Sequence, residues 1–242
     1  PSGVGEVLAT CRTACDLLDE NPQVVFTRSD VWVYQTVEEI DPRLFERIRR
    51  HAAAGRWMIV GGWYVQPDCN LPLEESFQRH IDVGRRYFRQ KFGVTVTVGY
   101  NVDSFGHAAS IPRILADNEF DSYVMMRPMA HERPLPAELF RWRSTEEAGG
   151  VREVITWRIP VGYCISKDDL SDHVRACIAK AVHGVDHVMC FYGVGDHGGG
   201  PTREQIAWIE AHRDAFSGAR LVFSHPRAFF DAVKPLSDRL PV

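Results

Sequence analysis

Apolar runs bounded by turn residues alternate along this chain with segments whose apolar residues recur at spacings of three and four. That alternation predicts β-α-β units around a mostly parallel sheet, because each periodicity buries one face of its element against the other kind. Strands are expected at VVFTRS (24–29), RWMIVGGWYV (56–65), VTVTVGYNV (94–102), SYVMMR (122–127) and HVMCFYGVG (187–195), with LVFS (221–224) adding another. Their β-branched and aromatic residues suit a buried pleated surface. Amphipathic helices are expected near 3–20, 41–54, 74–91, 107–118, 168–183 and 202–215. Asp41 before Pro42, and Pro201 before Thr202, provide helix starts. The stretch 128–166 breaks the rhythm: a proline-rich excursion and then a hairpin around Glu147 to Gly150 read as an insertion.

A length of 242 residues suits a single domain, since one α/β barrel commonly runs to about 250 residues. The formal net charge is -4, with Lys and Arg scattered, so nothing marks a surface for nucleic acid or an anionic membrane; the partner is expected to be small or neutral. No stretch approaches the roughly 18 uncharged apolar residues of a membrane span. The six cysteines sit inside patterned helices and strands, which points to free thiols in a reducing cytoplasm, and Cys11 and Cys15 share a helix face as small core residues. The chain starts at Pro1 and runs straight into a helical pattern, which reads as a fragment of a longer protein. Self-association as a homo-oligomer is left open.

In such barrels chemistry gathers on the loops after the strands. Trp63, Gln66, Asp68 and Asn70 follow the second strand, Asp103 the third, Arg127 ends the fourth, and Asp196 and His197 follow GVG. Asp103 has a bland alternative as a helix N-cap, worth about 1 kcal/mol. Phe105 and Trp63 are aromatic rings in strand-end loops, suited to stacking on the apolar face of a sugar or to burial in the core. The run GVGDHGGGPT (193–202) has the backbone freedom of a ligand-approaching loop, and it lacks the Gly-Lys-Ser/Thr ending of a phosphate loop. Asp103 and Asp196, from different strands, would then serve as nucleophile and proton donor of glycoside hydrolysis. Tyr163 and Trp142 read as site walls or as buried aromatics of the hairpin, and His225 at a strand end is equally open.

Taken in order, WYVQPDCNLP with Glu75 and Ser76, NVDSFGH, Arg127 and GVGDHGGGPT resemble the catalytic domain of glycoside hydrolase family 38 α-mannosidases, in the style of bacterial members. The resemblance spans about residues 24 to 215. It implies a seven-stranded α/β barrel, incomplete in this chain, and a divalent metal, usually zinc, that holds the mannose. It makes Asp103 both nucleophile and metal ligand, Asp196 the general acid/base, and Arg127, which lies 24 residues after Asp103, a support for nucleophile and sugar. Trp63, Asp68, Phe105, Tyr163 and His197 are its expected substrate contacts. The implied reaction is retaining hydrolysis of terminal α-linked mannose by double displacement.

Two departures accompany the resemblance. Leu73 and Glu74 stand where the family often has a small residue and a glycine. The family's histidine-containing first strand and its downstream histidine have no counterpart, so Asp103 is the only metal ligand expected here, the isolated chain is expected to be inactive, and a first strand and further domains are expected outside it. Two rivals remain. A metal-dependent polysaccharide deacetylase also uses an incomplete α/β barrel, but would need paired histidines, and these are dispersed; a non-catalytic carbohydrate-binding fragment is the other.

Overall fold

The computed structural model describes residues 3–144, 150–195 and 198–242. Helix α1 (Gly3–Glu20) leads into β1 (Phe26–Arg28), α2 (Val31–Ile40), α3 (Pro42–Ala53) and β2 (Trp57–Ile59). There follow α4 (Glu74–Phe92), β3 (Val98–Asn101), α5 (Ile111–Asp117) and β4 (Ser122–Met125). The antiparallel pair β5 (Leu139–Arg143) and β6 (Glu153–Arg158) precedes α6 (Ser171–Ile178), α7 (Arg203–Ala211) and α8 (Pro226–Val233).

Strands β1 and β2 pair in parallel, and β3, β4 and β6 form a second parallel array whose outer strand is β5. A single backbone hydrogen bond from Gly61 N–H to the Val98 carbonyl, 2.8 Å, ties the two sheets together. The result is a mixed α/β fold with six short strands among the described residues. Valine, tryptophan and tyrosine fill the layer between strands and helices: Trp57, Trp63, Tyr34 and Tyr123 are wholly buried there. Such large rings each bury a wide apolar area alongside the aliphatic core.

The local rules explain most boundaries. The Asp41 carboxylate accepts from Leu44 N–H at 3.0 Å, and Thr202 accepts from Gln205 N–H at 3.1 Å, each satisfying a free donor of the helix it starts. Gly93 closes α4 in the left-handed conformation. The predicted strand 56–65 stops at Ile59 because Gly61 and Gly62 turn with φ of 85° and 70°. Helix α4 packs so closely on this turn that a Cβ on Gly84 would sit 1.9 Å from the Gly62 carbonyl oxygen.

Several expectations need correction. The segments 187–195 and 221–224 are not strands; apart from a bridge between Val194 and Gly200 they run without a ladder, lining a cavity instead of a sheet edge. Helix α2 was hidden by its β-branched residues: Val31, Val33 and Val37 face the core with Tyr34. Helix α8, capped by the His225 ring, which accepts from Ala228 N–H at 3.1 Å, was also unforeseen. The expected hairpin is present as β5 and β6, although its turn, including Glu147, lies outside the described residues.

The excursion 128–138 is fastened by a buried ion pair. Arg158 donates to the Glu138 carboxylate at 2.6 Å and to the Arg133 carbonyl at 2.8 Å, so both charges are matched where water is excluded. All six cysteines are free, and Cys11 and Cys15 lie fully buried in α1. Among the described residues no helix is long and apolar enough to cross a membrane.

Candidate active site

The C-terminal ends of β1 and β3 open on one cavity of about 1070 Å³, and β4 ends beside β3. Its wall includes Arg28, Asp30, Tyr100, Asp103 and Tyr163 on one side and the segments 187–195 and 220–226 on the other. Asp103 is two residues beyond β3 and Arg127 two beyond β4. Because β3 and β4 are adjacent and parallel, this equal offset brings the two side chains together. Arg127 Nε donates to Asp103 Oδ1 at 2.9 Å, its guanidinium carbon lies 4.4 Å from the centre of the Phe105 ring, and Glu132 stands 3.7 Å from Nη1. The hydrogen bond with Asp103 is the main cause that raises the Arg127 pKa above the usual arginine value. Phe105 is 73 % exposed, an aromatic ring open to solvent beside the Asp103–Arg127 pair.

The block NVDSFGH divides its labour by direction. Asn101 donates to the Pro67 carbonyl at 2.7 Å, and Ser104 Oγ receives the Cys69 N–H at 2.9 Å. Gly106 lies against Asn70, where a Cβ would meet Nδ2 at 2.2 Å. His107 packs at 5.6 Å from both the Tyr123 and Trp142 rings, its Nε2 2.9 Å from the Tyr123 hydroxyl, and burial pulls its pKa down to about 4. Those residues stitch the loop to the neighbouring QPDCN turn. Asp103 and Phe105 are what the stitching presents outward, and no helix starts there to be capped, since α5 begins at Ile111 behind Ser110.

Other expected contacts fall elsewhere. Trp63 has no exposed surface; its Nε1 donates to the Tyr100 carbonyl at 3.1 Å, and its ring stacks on Phe120 at 6.1 Å, so it is a core residue with no face open to a sugar. Asp68 Oδ1 accepts from Asn70 and Leu71 N–H at 2.8 and 2.9 Å, bonds that hold its pKa below the ordinary carboxylate value and spend that oxygen on the turn. Tyr163 lines the cavity that Asp103 also lines. Trp142 packs in the hairpin beside Tyr123, 5.9 Å between ring centres, and His225 caps α8 at the cavity wall. Asp196 and His197 lie outside the described residues.

One residue of the wall was missed. Asp30 stands two residues beyond β1, the offset that Asp103 has beyond β3, and adopts φ 72°, a conformation rare outside glycine. Its Oδ1 and the Nε of Arg28 are buried atoms without a hydrogen-bond partner. Burial pushes the Asp30 carboxyl up to about 6, against the opposing pull of Arg28, Ser29 and Gln66. Gln66 joins the two carboxylate loops, since its Oε1 accepts from Val102 N–H at 3.2 Å while its Nε2 lies 3.5 Å from Ser29 Oγ. The sequence signal was there: an aspartate directly after a strand, in RSD as in NVD.

The metal implied by the resemblance finds Asp103 without companions. Among the described residues the only group of three His, Cys, Asp or Glu side chains close enough to share an ion is His173, Cys177 and Cys190, which does not include Asp103. Asp103 Oδ1 is also engaged by Arg127. A catalytic zinc takes about three protein ligands, so the described residues do not by themselves make that centre.

An ion-paired carboxylate thus stands at adjacent strand ends on the wall of a wide cavity, beside an exposed aromatic ring, on a mixed α/β fold. Residues 4–242 match the model of the glycosyl hydrolases family 38 N-terminal domain, and the chain belongs to that family. Alpha-mannosidase G of Dictyostelium discoideum is 29% identical over 225 residues, covering 92% of this chain and 20% of that protein. Alpha-mannosidase 2C1 of Homo sapiens is 26% identical over 231 residues, covering 94% of this chain and 22% of its own length. The chain thus spans about a fifth of these relatives. In fold it is similar to an alpha-mannosidase from Enterococcus faecalis V583, with a TM-score of 0.80 at 18% identity over 98% of this chain and 27% of the other.

Proposed function

We propose that this chain is a catalytic portion of a retaining α-mannosidase that removes terminal α-linked mannose from glycans or small mannosides. The observation that carries the reading is the Asp103–Arg127 pair at 2.9 Å on adjacent parallel strand ends, in a chain of family 38. Asp103 attacks the anomeric carbon to form a glycosyl-enzyme; Arg127 holds one carboxylate oxygen so that the other points at the sugar. Asp196 protonates the leaving oxygen and then deprotonates the attacking water, which requires its carboxyl about 5–5.5 Å from that of Asp103. Phe105 offers its open face to the sugar ring, and Tyr163 and His197 are the further sugar contacts of this reading. The expected barrel of seven strands would close across the cavity between β1 and the segments 187–195 and 221–224.

A divalent metal, zinc by the resemblance, would take Asp103 as one ligand together with groups beyond those the described residues place beside it, and the roles above are stated without it. Free thiols throughout support a cytoplasmic setting. The mannoside is the expected partner; the net charge of -4 gives no support to nucleic acid, and the homo-oligomer remains open. Family membership sets the deacetylase aside, while a carbohydrate-binding role would leave Asp103 dispensable for turnover.

The deciding experiment uses the full natural polypeptide with an aryl α-mannoside whose leaving group is activated. Asp103→Asn is expected to lower kcat by about 10³-fold or more with an unchanged melting temperature. A fluorinated mannosyl donor should label the peptide carrying Asp103. Label on another carboxylate, or turnover persisting in Asp103→Asn, overturns the assignment.

A further inference from the structure

Far from Asp103 in the sequence, α6 presents His173 and Cys177 four residues apart and therefore on one helical face. Cys190 reaches them from the ladderless segment 187–195. One ligand atom from each of the three lies within 4.8 Å of the others. His173 and Cys177 are buried, and Cys190 is half-buried and lines the large cavity. The surroundings are apolar: Leu170, Val174 and Ile209 form the local core.

Two thiols and an imidazole converging in an apolar niche are the donor set of a zinc-class ion, since soft and borderline ligands select soft and borderline metals. A tetrahedral zinc with bonds of about 2.3 Å to sulfur and 2.0 Å to nitrogen separates its ligand atoms by roughly 3.5–3.8 Å. Drawing the three atoms in from 4.8 Å or less asks for movements of about an ångström. His173 Nε2 lies 2.7 Å from the Phe191 carbonyl, which can only accept, so that nitrogen carries the proton and the other keeps its lone pair. An outer hydrogen bond to a carbonyl is how metal-bound histidines are usually held.

We propose that His173, Cys177 and Cys190 form a zinc site, separate from Asp103, that fastens the segment 187–195 to α6. Binding displaces one proton from each thiol to solvent, giving two thiolates and a neutral imidazole around the ion. Its fourth position would take water. The segment it clamps otherwise relies on few backbone bonds, among them Ile165 N–H to the Gly193 carbonyl at 2.8 Å and the pair between Val194 and Gly200. The same segment runs into the glycine loop that carries Asp196, so the ion would set where that loop starts. The proposal stands independently of the mannosidase reading.

The test is titration of the chelator-treated chain with Zn²⁺ and with Co²⁺, followed by native mass spectrometry, absorption and thermal melting. Cobalt bound here gives a thiolate-to-metal charge-transfer band, which a site built on Asp103 without cysteine does not. The expected result is a sulfur-bound equivalent per chain, a raised melting temperature, loss of the band in Cys190→Ser with zinc affinity weakened more than about 100-fold, and retention of the band in Asp103→Asn. Absence of the band and of any melting shift in the folded wild-type chain overturns the proposal. So does a band that survives in Cys190→Ser, or oxidation of Cys177 and Cys190 to a disulfide with no uptake of metal. Should Cys177→Ser fail to fold, the half-buried Cys190→Ser and the wild-type titration still decide.

Discussion

The two sides of the cavity are built differently. On one, β1, β2, β3, β4 and β6 are parallel strands whose backbones are paired, with α3 and α5 packed against them. On the other, 187–195 and 221–224 are as rich in valine, phenylalanine and tyrosine, yet they lie against the cavity with almost no ladder. Apolar composition therefore fixes neither burial nor pairing: Val222 is 66 % exposed and residues 188–192 are half-buried, and pairing is decided by whether a neighbouring backbone stands at strand distance. The candidate site follows the paired side: Asp103 and Arg127 meet because two adjacent strands end in register.

Hydrogen exchange gives the widest test of this contrast. Amides of β3 and β4 are expected to exchange on the order of 10³-fold more slowly than those of 187–192 and 221–224, because the former open only with much of the fold. Equal protection would erase the distinction. Next comes Gly84→Ala, which forces a methyl onto the Gly62 carbonyl on the paired side and should cost about 3 kcal/mol in chemical denaturation. An Ala at Gly218, where a Cβ meets nothing, isolates the backbone cost of a positive φ without that clash.

Asp30 supplies a third test, with a defined sign. Its folded pKa of about 6 lies above the ordinary 3.8, so the folded state holds the proton more tightly, and the contribution is fully present at low pH and lost as pH rises through about 6. Asp30→Asn should therefore match the wild type near pH 4 and exceed it by up to about 3 kcal/mol above pH 7. A variant advantage that shrinks with rising pH would reject the assignment of that carboxyl. The smallest effect belongs to Phe105→Ala, expected to raise KM several-fold at nearly constant kcat, since one exposed stacking face is worth about 1 kcal/mol.

Much of this was legible in the sequence, for identifiable reasons. Helices α1, α3, α4 and α7 follow from periodicity and from caps at Asp41 and Thr202. The 24-residue separation of Asp103 and Arg127 became a hydrogen bond because it spans one helix and one parallel strand. Direction was not legible: Trp63 and Phe105 are both aromatic residues of strand-end loops, yet one is sealed behind Phe120 and the other is open. Nor was convergence, for Cys190 lies 13 residues from Cys177 and nothing local announces that the chain returns to α6. Asp30 was overlooked because α2 was unread, and without that helix the strand end had no visible position.

The outer strand β5 carries one further implication. Its Arg141 N–H is held by the Pro241 carbonyl at 2.8 Å, so a stretch of irregular backbone stands where another strand could add. Uncovered strand edges recruit further strands from neighbouring molecules. The backbone around Pro241 therefore shields part of that edge from a neighbouring molecule's strand, and breaking this contact should convert a well-behaved preparation into one that precipitates on concentration.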